Sequence, residues 1–296
     1  SVGYDLTFAT ALVAVSGSLG IIIPPSIPYI MYCNASGASI SELFLAGFLP
    51  GVLIALCLMV YSYIYCKIHG EDKDKLNAKC MELRAKGLGT VLKEGFWALM
   101  SPVIILGGIY GGICSPTEAA TISIFYSLIV SLFIYRTIKI RDLPKIMLEG
   151  IHSYAPILII LSAAVAFARV ITLMNVATIV SEAVLSAISS KVVILLLINV
   201  LLLFVGMIMD TGPAILVLPV AEAIGVDPIH FGIIMCVNLA IGFVTPPMGA
   251  NLFVASNLSK VSVFDIARKA VPFILAFLIA LLLITFVPEI SMFLLQ

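Results

Sequence analysis

"GIIIPPSIPYIMY", residues 20–32, places two adjacent prolines inside a run that carries no charged residue from Leu6 to Ser41. A continuous apolar helix accommodates proline poorly, because the ring removes a backbone donor and clashes with the preceding turn. A second stretch, "GFVTPPMGANLFV" at residues 242–254, carries the same pair of prolines. Each stretch therefore predicts an apolar helix that is interrupted near its middle.

The composition is that of an integral membrane protein. Hydrophobic residues make up 62% of the 296 residues and charged residues only 11%, whereas a soluble domain has about 25% charged residues. The formal net charge of zero argues against a nucleic-acid partner, which a basic surface would attract. Membrane lipid is therefore the expected surrounding of most of the chain.

Eight apolar segments are candidates for crossing the membrane, each needing about 20 residues. One of them, 191–223, is broken by "DTGP" at 210–213, and its second arm covers only ~15 Å, so a re-entrant hairpin is predicted. Between two other segments, residues 67–95 hold seven Lys/Arg and apolar positions at helical spacing, which indicates an amphipathic helix along the membrane surface. The segments are 6–33, 43–66, 97–114, 117–135, 151–174, 191–223, 228–256 and 270–294.

An internal repeat has a constant offset of 222 residues: Gly20-Pro24-Pro25-Pro50 matches Gly242-Pro246-Pro247-Pro272. Helix starts also correspond, since "SISE" at 39–42 and "SVFD" at 262–265 both resemble capping boxes. The linker 38–48 has no Lys or Arg, whereas 260–269 has three. Because cytoplasmic loops are rich in basic residues, equivalent segments are predicted to cross in opposite directions, as an inverted-topology repeat.

An interruption inside the membrane leaves backbone groups that lipid cannot satisfy. The carbonyls that end the first half-helix can hold a small cation, and the N-terminus of the second half can face an anion. We expect the proline pairs at the start of the second half-helices, where missing N–H groups matter little. Two such breaks at equivalent points of two inverted halves predict a cation-coupled transport site.

Two acidic residues receive different interpretations. Asp210 lies deep in the predicted hairpin, where a carboxylate costs at least ~2.5–3.5 kcal/mol on insertion scales; it can coordinate sodium, accept a proton, orient substrate or cap the second arm. Glu118, in "SPTEAA", is predicted to complete a capping box with Ser115.

Four strings together resemble the large membrane subunit (DctM type) of the tripartite ATP-independent periplasmic (TRAP) transporters over the whole chain. They are "GSLGIIIPPSIPYIMY", "GASISELFLAGFLPG", "PVIILGGIYGGICSPTEAA" and "HFGIIMCVNLAIGFVTPPMGANLFVAS". The resemblance implies a sodium-symporting elevator transporter in the bacterial cytoplasmic (inner) membrane, with no enzymatic activity and no organic cofactor. It implies uptake of an organic anion, a C4-dicarboxylate or sialic acid, that a periplasmic substrate-binding protein delivers. It also implies a small four-helix membrane subunit beside the large one, either as a separate chain or fused upstream of it.

The resemblance also implies site residues. Substrate is expected near Ser26, Asp210 and Asn251. Sodium, the transported coupling ion, is expected to be bound mostly by backbone oxygens at two places. The first comprises Ser18, Gly20, Pro24, Pro25 and Ser26; the second comprises Asp210, Thr211, Gly212, Gly242, Thr245, Pro246 and Pro247.

The expected fold is an all-α, inverted-repeat elevator with one hairpin and two broken helices, forming the C-terminal part of a longer chain. The expected parts are a broken helix of the first repeat (1–42), a scaffold helix (43–66), the amphipathic arm (67–95), scaffold helices of the second repeat (96–150), entry helices (151–190), the re-entrant hairpin (191–223), a broken helix (228–259) and a scaffold helix (260–296).

Three other functions compete with this one. A stand-alone sodium-coupled dicarboxylate symporter of the same superfamily remains open, and independence from a binding protein would distinguish it. An intramembrane aspartyl protease needs a second aspartate sharing a proton with Asp210, and 151–174 and 228–256 contain none. A channel needs a continuous polar pore, which the breaks and the hairpin argue against.

Overall fold

The computed structural model describes residues 4–70, 87–174, 190–208, 217–246 and 249–295, together with positions 75, 77, 78, 80, 81, 179, 182, 186, 188 and 214. Over these residues every regular element is a helix, which confirms the prediction of an all-α membrane protein. In chain order they are α1 (Leu6–Gly17), α2 (Ile27–Ser36), α3 (Ile40–His69), α4 (Leu88–Tyr110), α5 (Pro116–Ile129), α6 (Leu143–Leu173), α7 (Lys191–Ile208), α8 (Leu218–Ala223), α9 (Pro228–Gly242), α10 (Ala250–Ser259), α11 (Val263–Phe286) and α12 (Glu289–Met292).

Four helices within the described residues are long and apolar enough to cross a membrane: Ile40–His69, Gly89–Tyr110, Pro116–Ile134 and Val263–Phe286. The apolar helices α1, α7 and α9 are shorter. At 1.5 Å per residue, the 15 residues of α9 extend about 22 Å, less than the ~30 Å hydrocarbon core. Helix α9 therefore ends before it has crossed a bilayer.

The chain divides into two compact units. Unit 1 comprises 1–72 and 165–296, and unit 2 comprises 73–164. In unit 2, α4 and α5 pack antiparallel. The Tyr126 hydroxyl donates to the Trp97 carbonyl at 2.7 Å, and the Tyr135 hydroxyl donates to the Glu94 carbonyl at 2.6 Å.

The predicted capping box at the start of α5 is confirmed. The Ser115 Oγ accepts from the Glu118 N–H at 3.4 Å, and Glu118 Oε2 accepts from the Ser115 N–H at 2.7 Å. The two bonds satisfy two N–H groups that the first turn of a helix leaves without partners.

The helix boundaries in unit 1 repeat with the offset found in the sequence. Helix α1 begins at Leu6 and α9 at Pro228, which is 222 residues later. Helices α2 and α3 correspond to α10 and α11 with starts one residue out of step. Pro50 lies inside α3 and Pro272 inside α11, so the matched prolines occupy the same place in equivalent helices.

Two of these equivalent helices run in opposite directions. Lys269 Nζ of α11 donates to the Tyr65 hydroxyl of α3 at 3.1 Å. One turn further along α11, the ring of Phe273 meets Tyr61, one turn earlier in α3, with centroids 4.5 Å apart. Contacts that advance along one helix and retreat along the other require α3 and α11 to be antiparallel.

Helix α9 forms the centre of unit 1. All its residues from His230 to Gly242 are buried, because α2, α3, α7 and α11 all pack on it. The Tyr32 hydroxyl of α2 donates to the Pro228 carbonyl at 2.5 Å. A Cβ on Gly232 would lie 2.7 Å from the Tyr32 ring, so a glycine there allows α2 to approach closely.

Two local predictions are wrong. Ser39 caps α3, with its Oγ accepting from the Glu42 N–H at 3.4 Å, but Ser262 makes no side-chain capping bond at α11. Asp265 stands where a capping box uses a longer glutamate or glutamine. Pro24 and Pro25 also do not begin a helix, because α2 starts at Ile27 with Ser26 as its N-cap and Pro28 in its first turn.

In the predicted arm at 67–95, residues 71–74, 76, 79 and 82–86 lie outside the described residues. Helix α3 continues to His69 and α4 begins at Leu88, so the two ends of this range belong to the flanking helices. An amphipathic surface helix between them stays a prediction.

Candidate functional site

The first interruption separates α1 from α2. Helix α1 ends at Gly17, a 3₁₀ turn follows at Ser18–Ile21, and α2 begins at Ile27. Ser26 connects the two sides of this interruption by hydrogen bonds. Its hydroxyl donates to the Ile21 carbonyl at 2.6 Å and accepts from the Tyr29 N–H at 3.5 Å. The predicted interruption is confirmed, and its backbone ends are bonded by a residue within it.

The predicted residues of the first break differ in exposure. Ser18, Pro24 and Ser26 are buried, whereas Gly20 and Pro25 are exposed within unit 1. Ser18 and Ser26 thus present hydroxyl oxygens inside the protein, where an oxygen ligand for a hard cation is protected from bulk water.

The second interruption separates α9 from α10. Helix α9 ends at Gly242, and the Thr245 N–H donates to the Gly242 carbonyl at 3.0 Å. The Thr245 hydroxyl donates to the Ile241 carbonyl at 2.7 Å, and the Asn251 N–H donates to the Phe243 carbonyl across the gap at 3.0 Å. Gly242 is buried, Thr245 half-buried and Pro246 exposed.

The first arm of the predicted hairpin runs beside α9 in the same direction. At their starts, Lys191 Nζ donates to the carbonyl of Gly225, three residues before α9, at 3.1 Å. Further along, Asn238 Nδ2 donates to Asn199 Oδ1 at 2.6 Å. Lys191 begins α7 and Gly225 follows α8. The segment from Lys191 to Gly225 therefore starts and finishes near the start of α9.

Helix α7 ends against the second break. A Cβ on Gly242 would lie only 2.2 Å from the carbonyl carbon of Gly206, so the two backbones are in direct contact. Residues 209–213 follow α7 and lie outside the described residues, as does Pro247. The assignments of Asp210, Thr211, Gly212 and Pro247 therefore stay predictions, although Ile208 ends α7 only two residues after Gly206.

The two breaks are joined by one predicted site residue. Asn251 Nδ2 donates to the Ser18 hydroxyl at 3.1 Å and to the Ala14 carbonyl at 3.3 Å. A residue expected near substrate and a residue expected near sodium are therefore brought together. The described side-chain hydrogen bonds of Ser26 are local, to Ile21 and Tyr29.

A buried polar cluster next to the site was not predicted. Asn199 Nδ2 donates to Thr285 Oγ1 at 3.2 Å, Asn199 accepts from Asn238, and His230 Nε2 lies 3.4 Å from the Thr285 carbonyl. These bonds connect α7, α9 and α11. Single polar residues within the apolar strings "LLINVLL" and "CVNLAI" were the available signal.

Comparison with known proteins gives the family. Residues 1–290 match the family described as the tripartite ATP-independent periplasmic transporter, DctM component. An isethionate TRAP transporter permease protein of Oleidesulfovibrio alaskensis is 43% identical over 98% of this chain and 46% of that protein. The C4-dicarboxylate TRAP transporter large permease protein of Pseudomonas aeruginosa is 38% identical over 98% of this chain and 68% of that protein.

A sialic acid TRAP transporter large permease protein of Vibrio cholerae is 34% identical, again over 98% of this chain and 68% of that protein. The chain thus spans about half to two thirds of the length of these relatives. All three are permeases, which agrees with the prediction of a multi-pass transport protein of the bacterial cytoplasmic membrane rather than an enzyme. The chain belongs to the DctM component family of the tripartite ATP-independent periplasmic transporters.

Proposed function

We propose that the chain is the part of a TRAP permease that binds sodium and an organic anion, and that it imports the anion by sodium symport. The observation that carries this proposal is the meeting of both interrupted helices, through the bonds from Asn251 to Ser18 and Ala14. Two such interruptions at equivalent points of a repeat are typical of secondary transporters.

Sodium would be bound by oxygen atoms at the ends of the first half-helices. At the first break these are the Ser18 hydroxyl and nearby carbonyls; at the second they are the Thr245 hydroxyl and carbonyls around Gly242, with Asp210, Thr211 and Gly212 of the hairpin. The C-terminal end of a helix carries partial negative charge and favours a cation there. The contact of Gly206 with Gly242 supports this grouping, because it holds the end of α7 at the second break.

The anion would lie near the N-termini of α2 and α10, which carry partial positive charge. Ser26 is the N-cap of α2, and α10 begins at Ala250. The relatives are named for isethionate, C4-dicarboxylates and sialic acid, so the proposed substrate class is a small organic anion with a carboxylate or sulfonate group.

An elevator mechanism is proposed for the movement. The antiparallel arrangement of α3 and α11 and the hairpin-like return from Lys191 to Gly225 support an inverted-repeat fold with a re-entrant segment. Unit 2 would supply scaffold helices, and the broken helices and α7 would move with the substrate. Helices α3 and α11 lie in unit 1 and pack on the broken helices, and their assignment to a scaffold stays a prediction.

Two partners are proposed: a periplasmic binding protein that delivers the anion and a small membrane subunit. The Oleidesulfovibrio relative is named as a combined DctMQ permease, which supports a fusion as one possible arrangement. The alternative is a stand-alone sodium symporter, which would transport without a binding protein.

The test is uptake into proteoliposomes that contain the complete membrane subunits of the parent protein. Labelled dicarboxylates, isethionate and sialic acid are supplied with and without an inward sodium gradient, and with and without the matching binding protein. Uptake that needs both supports the TRAP assignment. Uptake that needs sodium alone supports the stand-alone symporter, and uptake indifferent to sodium refutes sodium coupling.

Two variants test the second site. We expect Thr245→Ala to raise the sodium concentration for half-maximal uptake about tenfold, the equivalent of ~1.4 kcal/mol for one lost oxygen ligand; Asp210→Ala should abolish uptake. The matched control is Thr121→Ala in α5, whose hydroxyl makes the same bond to the carbonyl four residues earlier, at 3.1 Å. Equal effects of Thr245→Ala and Thr121→Ala would contradict the site.

A further inference from the structure

Asn251 makes one hydrogen bond across the second interruption and two to the first interrupted helix. Its backbone N–H bonds the Phe243 carbonyl across the second break at 3.0 Å. Its side-chain Nδ2 bonds the Ser18 hydroxyl at 3.1 Å and the Ala14 carbonyl at 3.3 Å in the first interrupted helix. A shift of either break therefore acts on the other through one residue.

The side-chain bonds use the whole donor capacity of this amide, because an asparagine side chain carries two N–H donors. Carboxylate and sulfonate groups accept hydrogen bonds and, when ionised, donate none. With one donor bonded to Ala14 in α1 and the other to Ser18 in the turn after α1, the Asn251 side chain has no N–H left for an anionic substrate. The geometry thus favours a role within the protein over the predicted contact with substrate.

The two acceptors lie at the end of α1 and in the turn after it, where the first break begins. Ala14 supplies one of the last four carbonyls of α1 (Leu6–Gly17), which an α-helix leaves without a partner in the helix itself. Ser18 is fully buried and begins the 3₁₀ turn that follows. Asn251 therefore holds in place a carbonyl at the end of α1 and the hydroxyl of a candidate sodium ligand.

This connection is particular to one side of the repeat. The residue equivalent to Asn251 at the offset of 222 is Tyr29, whose ring lies near Phe44 of α3 with centroids 6.3 Å apart. A Cβ on Gly47, also in α3, would lie 2.7 Å from the Tyr29 hydroxyl oxygen. The Tyr29 side chain thus packs on α3, whereas the Asn251 side chain crosses to the other repeat.

We propose that Asn251 is a positioning residue that couples the two sodium sites, so that sodium bound at one break raises the affinity at the other. This inference rests on the proposed function, because it requires a sodium site at each break. Coupling between two binding sites is reciprocal, so the connection acts equally from either break. It makes the sodium dependence of uptake cooperative.

The experiment measures the sodium dependence of uptake in proteoliposomes with the complete parent membrane subunits, for the wild type, Asn251→Ala and Asn251→Leu. The wild type is expected to have a Hill coefficient for sodium above one. Both variants should lower that coefficient toward one and raise the half-saturating sodium concentration ~5-fold, the low end of typical coupling. The KM for the anion, measured at saturating sodium, should stay within twofold. Asn257→Ala, an exposed asparagine on the same helix, should behave as the wild type.

Several results would overturn the inference. A wild-type Hill coefficient of one, with sodium still required, excludes coupling while leaving the proposed function intact. A raised substrate KM at saturating sodium, with the Hill coefficient unchanged in the variants, places Asn251 on the substrate instead. Wild-type uptake that ignores sodium refutes the proposed function itself.

A second measurement covers variants that transport poorly. Sodium-dependent thermal stabilisation of the purified membrane subunits reports sodium binding without transport. Asn251→Ala should shift this stabilisation to ~5-fold higher sodium and lower its Hill coefficient toward one. Sodium-dependent stabilisation that is the same in Asn251→Ala as in the wild type would overturn the inference.

Discussion

The contact between α7 and α9 at Gly206 and Gly242 allows a quantitative prediction. A Cβ on Gly242 would lie 2.2 Å from the carbonyl carbon of Gly206, 2.5 Å from its oxygen and 2.6 Å from its Cα. The optimal distance between non-bonded carbon atoms is about 3.5–4.0 Å. Gly242→Ala must therefore move one helix backbone by roughly 1.3 Å. All three atoms are backbone, so no side-chain rotation can relieve the contact.

Overpacking of this kind costs about 1–3 kcal/mol and more where backbone must move. We therefore expect Gly242→Ala to reduce the free energy of unfolding by ~3 kcal/mol, after the small gain that alanine brings by restricting the unfolded chain. The assay is thermal unfolding of the purified membrane subunits, in which ~3 kcal/mol corresponds to a decrease in Tm of roughly 6–12 °C.

Two other glycines provide the comparison. A Cβ on Gly206 would meet its nearest atom, the Leu239 Cα, at 3.0 Å, so Gly206→Ala should have a smaller effect than Gly242→Ala. Gly95, inside α4, would place a Cβ within 4 Å of nothing, and Gly95→Ala should leave Tm unchanged or slightly raised. If Gly242→Ala unfolds within 1 °C of the wild type, the direct backbone contact between α7 and α9 is refuted.

Two further predictions concern packing and capping. Asn238→Leu should lower the free energy of unfolding by ~1–3 kcal/mol, because it leaves the buried Asn199 Oδ1 without its donor. Adding Asn199→Leu should recover part of that loss, measured by thermal unfolding. Fully additive losses in the double variant would contradict a hydrogen bond between the two side chains. Ser115→Ala should lower the free energy of unfolding by about 1 kcal/mol by removing the cap of α5, and Ser127→Ala, at an exposed serine of the same helix, should show no comparable decrease in Tm.

The repeat was predictable because it is defined by residues that determine the conformation of the backbone next to them. Gly20, Pro24 and Pro50 recur at one offset, and proline and glycine act on the backbone next to them. The interruptions, the all-helical fold and the capping box at Ser115 follow from such local effects. The placement of the proline pairs was wrong because Ser26, with its hydroxyl bonded to Ile21, provides a better helix start than the prolines before it.

The contacts between distant residues were not predictable in the same way. Asn251 and Ser18 are 233 residues apart and Asn199 and Asn238 are 39 apart, and hydrophobic patterns indicate which face of a helix is buried but not which polar group it meets. The roles expected for Ser18 and Asn251 follow from a family resemblance, and it is the fold that brings these two side chains together. Asp210 and Pro247 stay predictions.

The burial of α9 from His230 to Gly242 has a consequence for how the protein responds to its membrane. A helix that faces lipid tilts or shifts when bilayer thickness changes, because its hydrophobic length must match the hydrocarbon core. Helix α9 meets protein on every side from His230 to Gly242, so lipid acts on it only through its neighbours. The depth of the second break is therefore set by the packing of the chain itself, and membranes of different thickness should leave the geometry around Gly242 unchanged.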